Sequence, residues 1–189
     1  MVDVLCPALY RYGREAAIIG RLLTGYSALE YQLCMCAGMG GSDVGKAITD
    51  LFSRRGETRR VKIANGLGGA AYAAAGLGQE FETAIDDILF CVEIRNQYAH
   101  CIWHDDLTGR LAFAHMEEIA APNGPGADPI NLTFFYLDAG LLREQESFFL
   151  YVRDNLNYLN YKRRQLVGDI GAGAILRSPT IAPRPRKHL

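Results

Sequence analysis

Apolar residues recur at steps of three and four over most of the chain, a pattern that predicts a mainly α-helical protein. Over 13–38, Ile19, Leu22, Tyr26, Leu29, Leu33 and Cys36 form a seam suited to a helical bundle. The run Gly38-Met39-Gly40-Gly41-Ser42-Asp43 breaks that helix, and Ser42 or Asp43 can cap a shorter one over 43–54. A third helix is expected over 57–75, loosened by Gly66, Gly68 and Gly69. A fourth is expected over 78–103, where Ile85, Ile88, Leu89, Val92, Ala99 and Trp103 keep helical spacing. The period then changes. Gly109 to Glu117 alternates apolar with other residues, and Asn131 to Asp138 does so in part, with β-branched and aromatic types. Pro122-Asn123-Gly124-Pro125-Gly126 between them signals a loop, so an antiparallel β-hairpin with a long connection is expected over 109–138. A fifth helix over 139–165 places Leu141, Gln145, Phe148, Val152, Leu156 and Leu159 on one side. The expected architecture is therefore an antiparallel bundle of about five helices with a β-hairpin inserted before the last.

Length and composition narrow this picture. The chain has 189 residues, enough for one domain with a core, expected over 1–170 and followed by a tail over 171–189. Apolar residues make up 49% and charged residues 22%, which excludes global disorder. A net charge of -1 excludes bulk electrostatic binding to nucleic acid, so any such contact must come from local patches. No apolar run approaches the roughly 18–20 residues of a membrane span. The start Met1-Val2-Asp3-Val4-Leu5-Cys6-Pro7 lacks the basic and apolar regions of a signal peptide. The five cysteines include no Cys-x-x-Cys pair and suit reduced, buried thiols. Together these features give the expectation of a cytoplasmic protein without a membrane partner. The tail from Ser178 to Leu189 is rich in proline and basic residues, and is expected to be extended and mobile until a partner orders it.

The candidate chemistry lies in Ile94-Arg95-Asn96-Gln97-Tyr98-Ala99-His100, late in the fourth helix. Burying arginine, asparagine and histidine beside an apolar stripe costs free energy unless they are paired or used. At about 100° per residue, Asn96 and His100 share a helix face, while Arg95 is displaced around it. A permanent cation, an amide and an imidazole suit phosphate-ester chemistry. Arginine binds phosphate bidentately and stabilises developing negative charge. Histidine exchanges a proton near neutral pH, and asparagine can donate to a phosphate oxygen or orient the histidine. With RNA, the 2′-hydroxyl is an internal nucleophile, and no metal is needed.

Arg95-Asn96-x-x-x-His100, near the end of a helix that follows three other predicted helices, resembles the Arg-x4–6-His motif of the HEPN superfamily. Ala99 before the histidine, with Trp103 following, is also similar to many members. The resemblance covers the helical frame over 13–165, and its specific part is 95–100. It implies a HEPN-like fold and metal-independent endoribonuclease activity, commonly in toxins and antiviral defence, with no cofactor. It also implies a homodimer whose two motif helices face each other, and an antitoxin or regulatory protein as a further partner. By carry-over, Arg95 and His100 would be catalytic and Asn96 supporting. One subgroup carries a modifiable tyrosine two residues after the histidine. Ile102 stands there in this chain, which argues against that form of regulation. Inactive HEPN-like domains serve as binding modules. In that reading Arg95 pairs with Glu93, Asp87 or Glu30, and His100 caps the helix C-terminus.

Other signals are weaker. His100 and His104 stand four apart on the expected helix, with Asp105 and Asp106 following, but no further metal ligand is evident. His104 is instead a candidate at the cleft edge. Gly40-Gly41-Ser42-Asp43-Val44-Gly45-Lys46 nearly spells a phosphate-binding loop, but Ala47 replaces the metal-binding hydroxyl, and a helix precedes it. Arg54, Arg55, Arg59, Arg60 and Lys62 form the densest basic cluster. Arg59, Arg60 and Lys62 are its candidate contacts to RNA phosphates. Lys162-Arg163-Arg164 and Arg184, Arg186 and Lys187 repeat that signal more faintly. Glu30 sits beside the first seam, where it could serve as a buried partner for Arg95 or Lys62.

Overall fold

The computed structural model describes residues 5–41, 43–116, 132–171, 173 and 177–189. It is mainly helical. In chain order its elements are α1 (Pro7–Arg11), α2 (Gly13–Gly40), α3 (Val44–Phe52), α4 (Glu57–Ala74), α5 (Gly78–Ala99), β1 (Cys101–Asp105), β2 (Leu111–His115), β3 (Phe135–Leu137) and α6 (Ala139–Leu166). Ser42 and the connection over 117–131, with its Pro122–Gly126 loop signal, lie outside the described residues.

Two expectations need correction. The helix expected to reach 103 stops at Ala99, and Cys101–Asp105 is a strand. The expected hairpin is therefore a three-stranded antiparallel sheet in the order β1-β2-β3. Cys101 pairs with His115 and Asp105 with Leu111, while Leu111 pairs with Leu137. The residues after Ala99 satisfy both periods. Five ladder partners on β2 decide between them. Trp103 and Cys101 are half-buried on one side of β1, and Ile102 and His104 are exposed on the other. In the β1–β2 turn, Leu107 takes a positive φ of 66°, and the Asp105 carboxylate accepts the Leu107 N–H at 3.0 Å.

The chain forms two compact units. One comprises Met1–Thr24, Glu93–Ser147 and Arg184–Leu189, and the other Gly25–Val92 and Phe148–Pro183. In the first, the central strand β2 buries Leu111 to Ala114, so both its faces are covered. Tyr98, Trp103, Phe113 and Phe135 cluster there, with Trp103 and Phe113 ring centres 5.8 Å apart and Phe113 and Phe135 5.6 Å apart. Arg11 donates to Asp105 at 2.8 Å, and Arg21 makes a two-bond contact with Glu146.

Among the described residues, every regular element of the second unit is a helix. Leu29, Leu33 and Cys36 of α2 are buried, as the seam predicts. Asp43 caps α3 by accepting the Lys46 N–H at 2.8 Å. Gly68, expected to loosen α4, instead permits a close approach: a Cβ there would lie 3.3 Å from the Ala37 Cα. Tyr72 stacks on Phe81 at 4.1 Å. Arg163 donates to the Met39 carbonyl at 3.0 Å near the end of α2. All five cysteines are free thiols, and burial pushes Cys36 up to about 12.

Candidate functional site

The motif closes α5. The His100 N–H donates to the Asn96 carbonyl at 3.1 Å, finishing the last helical turn. One residue later the chain enters the sheet, and the Met116 N–H reaches back to the His100 carbonyl at 3.4 Å. Arg95 and Asn96 are half-buried, and the Arg95 Nη1 donates to the Asn96 Oδ1 at 3.1 Å. His100 is exposed, so the cost of burying a polar side chain does not apply to it.

Asn96 and His100 border a groove of about 400 Å³ within the first unit. The end of α5 contributes Glu93, Asn96, Gln97 and His100, and the sheet contributes His115 and Phe135. The chain's last segment contributes Lys187 and His188. Arg95 is not part of the lining, but its guanidinium bonds Asn96, which is. Three imidazoles therefore share one concavity, where His100 was expected with His104 at its edge. His115 and His188 both pack against Phe135, at 5.2 and 4.4 Å between ring centres.

Backbone bonds hold the tail segment in place. Gln97 donates to the Lys187 carbonyl at 2.8 Å. Gln145, fully buried on α6, donates to the carbonyls of Arg186 at 2.9 Å and Lys187 at 3.0 Å. The Gln145 Oε1 accepts the buried Tyr98 hydroxyl, and burial pushes that hydroxyl's pKa far above the usual tyrosine range. The Leu189 N–H donates to the Tyr136 carbonyl at 3.0 Å, alongside β3. The Lys187 ammonium pairs with Glu93 at 2.7 Å, both side chains being well exposed. Residues 184–189 thus have fixed partners in the first unit, whereas the sequence points to a mobile tail.

The remaining candidates fall elsewhere. His104 stands on the exposed side of β1, stacked on Phe134 at 4.9 Å, and is not part of the groove. The end of the helix at Ala99 also removes the helical pairing of His100 with His104. Among the described residues, no group of three or more His, Cys, Asp or Glu side chains is placed to hold a metal ion. Arg59, Arg60 and Lys62 belong to the second unit. Arg59 and Lys62 are exposed on α4. Arg60 turns inward: its Nη1 donates to both Glu30 oxygens, at 3.0 and 3.1 Å, and its Nε donates to the Arg54 carbonyl at 3.0 Å. Glu30 is therefore a buried partner as expected, but of Arg60 rather than Arg95 or Lys62. Comparison with models of known protein families, with curated proteins and with solved structures gives no match.

Proposed function

We propose that the protein is a metal-independent endoribonuclease of the HEPN type, with Arg95, Asn96 and His100 at its site. The observation that carries this reading is the placement of Asn96 and His100 together on a groove, with the Arg95 guanidinium bonded to Asn96 beside it. His100 exchanges a proton at the scissile phosphodiester, and the Asn96 amide contacts a phosphate oxygen. Facing motif helices in a homodimer bring a second Arg95 towards the phosphate and form a composite cleft. Exposed Arg59 and Lys62 add backbone contacts on RNA. The HEPN resemblance extends the reading to a toxin or antiviral-defence effector held in check by an antitoxin or regulatory protein. Cleavage of RNA in EDTA tests it: His100→Ala and Arg95→Ala, folded as judged by circular dichroism, lose the activity. Equal cleavage by both variants and the wild type refutes it.

A specific observation favours a second reading. Arg95 does not line the groove, and its guanidinium is engaged with the neighbouring Asn96. A catalytically inactive HEPN-like module that binds RNA or protein through the same groove accounts for that. It predicts saturable RNA or protein binding with no cleavage at any enzyme concentration.

A further inference from the structure

The motif assigns one proton carrier and an arginine, yet a transesterification needs two proton carriers, and this arginine lies off the groove. We propose that the groove supplies two groups the motif lacks, with His115 as the second proton carrier and Lys187 as a cation that holds the phosphate. The proposal rests on the ribonuclease reading and goes beyond it to residues that the motif does not contain.

His115 reaches the site through ladder register. Cys101 pairs with His115, and Met116 bonds back to His100, so the two histidines lie one register position apart where the ladder begins, and both border one groove. His115 is half-buried against Phe113 and Phe135, which restricts its ring, whereas His100 is exposed at the rim. Two imidazoles on one groove can divide the proton transfers between them, one as base and the other as acid. One imidazole takes the 2′-hydroxyl proton, and the 2′-oxygen bonds to phosphorus. The bond from phosphorus to the 5′-oxygen breaks, and that oxygen leaves with a proton from the other imidazolium. The products are a 2′,3′-cyclic phosphate and a 5′-hydroxyl, with no proton or electron unaccounted for.

Lys187 is suited to exchange partners. Its ion pair with Glu93 is exposed, and exposed pairs are weak in water, so a phosphodiester oxygen competes readily for the ammonium. Its backbone stays fixed throughout, because Gln97 and Gln145 hold its carbonyl. Glu93 is then the one carboxylate in the lining among the described residues and opposes the anion.

The test separates binding from chemistry. Fluorescence anisotropy of a labelled 2′-O-methyl oligoribonucleotide, which lacks the nucleophile, reads binding alone. Lys187→Met should weaken it about tenfold, and Glu93→Gln should tighten it several-fold, as expected from losing or relieving one charge contact. Cleavage of the matching ribonucleotide in EDTA should fall about 10²-fold or more in His115→Gln, with binding held within about threefold. Its pH–rate profile should lose one limb of the bell. Glu93, His100, Lys187 and His188 also face this groove, so the same profile in His188→Gln, with both limbs kept, assigns the lost limb to His115. Wild-type binding by both charge variants overturns the phosphate site. RNA cleavage that needs His100 but persists in His115→Gln or His115→Asn overturns the proton pair and leaves the ribonuclease reading standing. Charge-dependent binding without any cleavage overturns the proton pair together with the ribonuclease reading.

Discussion

Replacing Gln145 with methionine should loosen the tail segment and destabilise the unit that carries the groove. The side chain is fully buried, and its three hydrogen bonds join Tyr98 on α5 to the carbonyls of Arg186 and Lys187. Methionine keeps the length and volume and removes every one of these bonds. The largest loss is at Tyr98, whose hydroxyl would remain buried without its acceptor, at about 1–3 kcal/mol. The Arg186 carbonyl loses a bond of about 0.5–1.5 kcal/mol, while Lys187 keeps its bond from Gln97. The expected total is about 1.5–4.5 kcal/mol, read as a lower urea midpoint at unchanged slope. Hydrogen exchange at the Leu189 amide, which donates to Tyr136, should lose protection in the same variant. Tyr98→Phe alone should cost about 1–2 kcal/mol, and the double variant should cost less than the sum by about 1 kcal/mol, because no half-made pair remains. A midpoint shift worth under about 0.5 kcal/mol, with Leu189 still protected, would refute the reasoning.

Three further outcomes follow from local geometry. Arg60→Met should destabilise by about 2–3 kcal/mol in chemical denaturation, below the ~3–5 of a fully buried pair because Arg60 is part-exposed, and Glu30→Gln in the same chain should restore most of it; a loss under about 0.5 kcal/mol contradicts the pairing. At Asp105, desolvation raises the pKa, but the Leu107 N–H and the hydrogen bond and charge of Arg11 outweigh it, so the carboxyl titrates below the ordinary 3.8. A lowered folded-state value stabilises above the unfolded value and is lost as pH falls through the folded one. The melting-temperature gap between wild type and Asp105→Asn should therefore be full at pH 6 and close as pH falls below 3.8; a gap that widens in acid contradicts the assignment. Leu107→Asn should stabilise by about 0.5–1 kcal/mol, since the exposed leucine holds a left-handed backbone that asparagine tolerates, and a lower melting temperature would refute this.

Where local periodicity decides an element, the sequence is readable. Leu29, Leu33 and Cys36 are buried as their spacing demands, Asp43 caps α3 as its type demands, and α6 begins where the alternation ends. Where pairing with another segment decides, it is not. Ile102 and Trp103 fit a helix as well as a strand, and only the ladder to β2 makes 101–105 a strand. The groove divides the same way. Asn96 and His100 stand out because a helix turn relates them. His115 and Lys187 join them through strand register and through Gln145, which in sequence is only a polar residue in an apolar seam. The need for a buried partner at Glu30 was legible from the cost of an unpaired carboxylate. The choice of Arg60 was not, because it depends on how α4 packs.

The groove gives the motif a setting that the motif alone lacks: two further imidazoles, an ammonium and a fixed tail within one unit. The most direct measurement is mass spectrometry of RNA fragments made by the purified protein in EDTA, alongside His100→Ala. The account predicts fragments ending in 2′,3′-cyclic phosphate from the wild type and none above background from the variant. Fragments ending in 3′-hydroxyl, or equal cyclic-phosphate yields from both proteins, would contradict it.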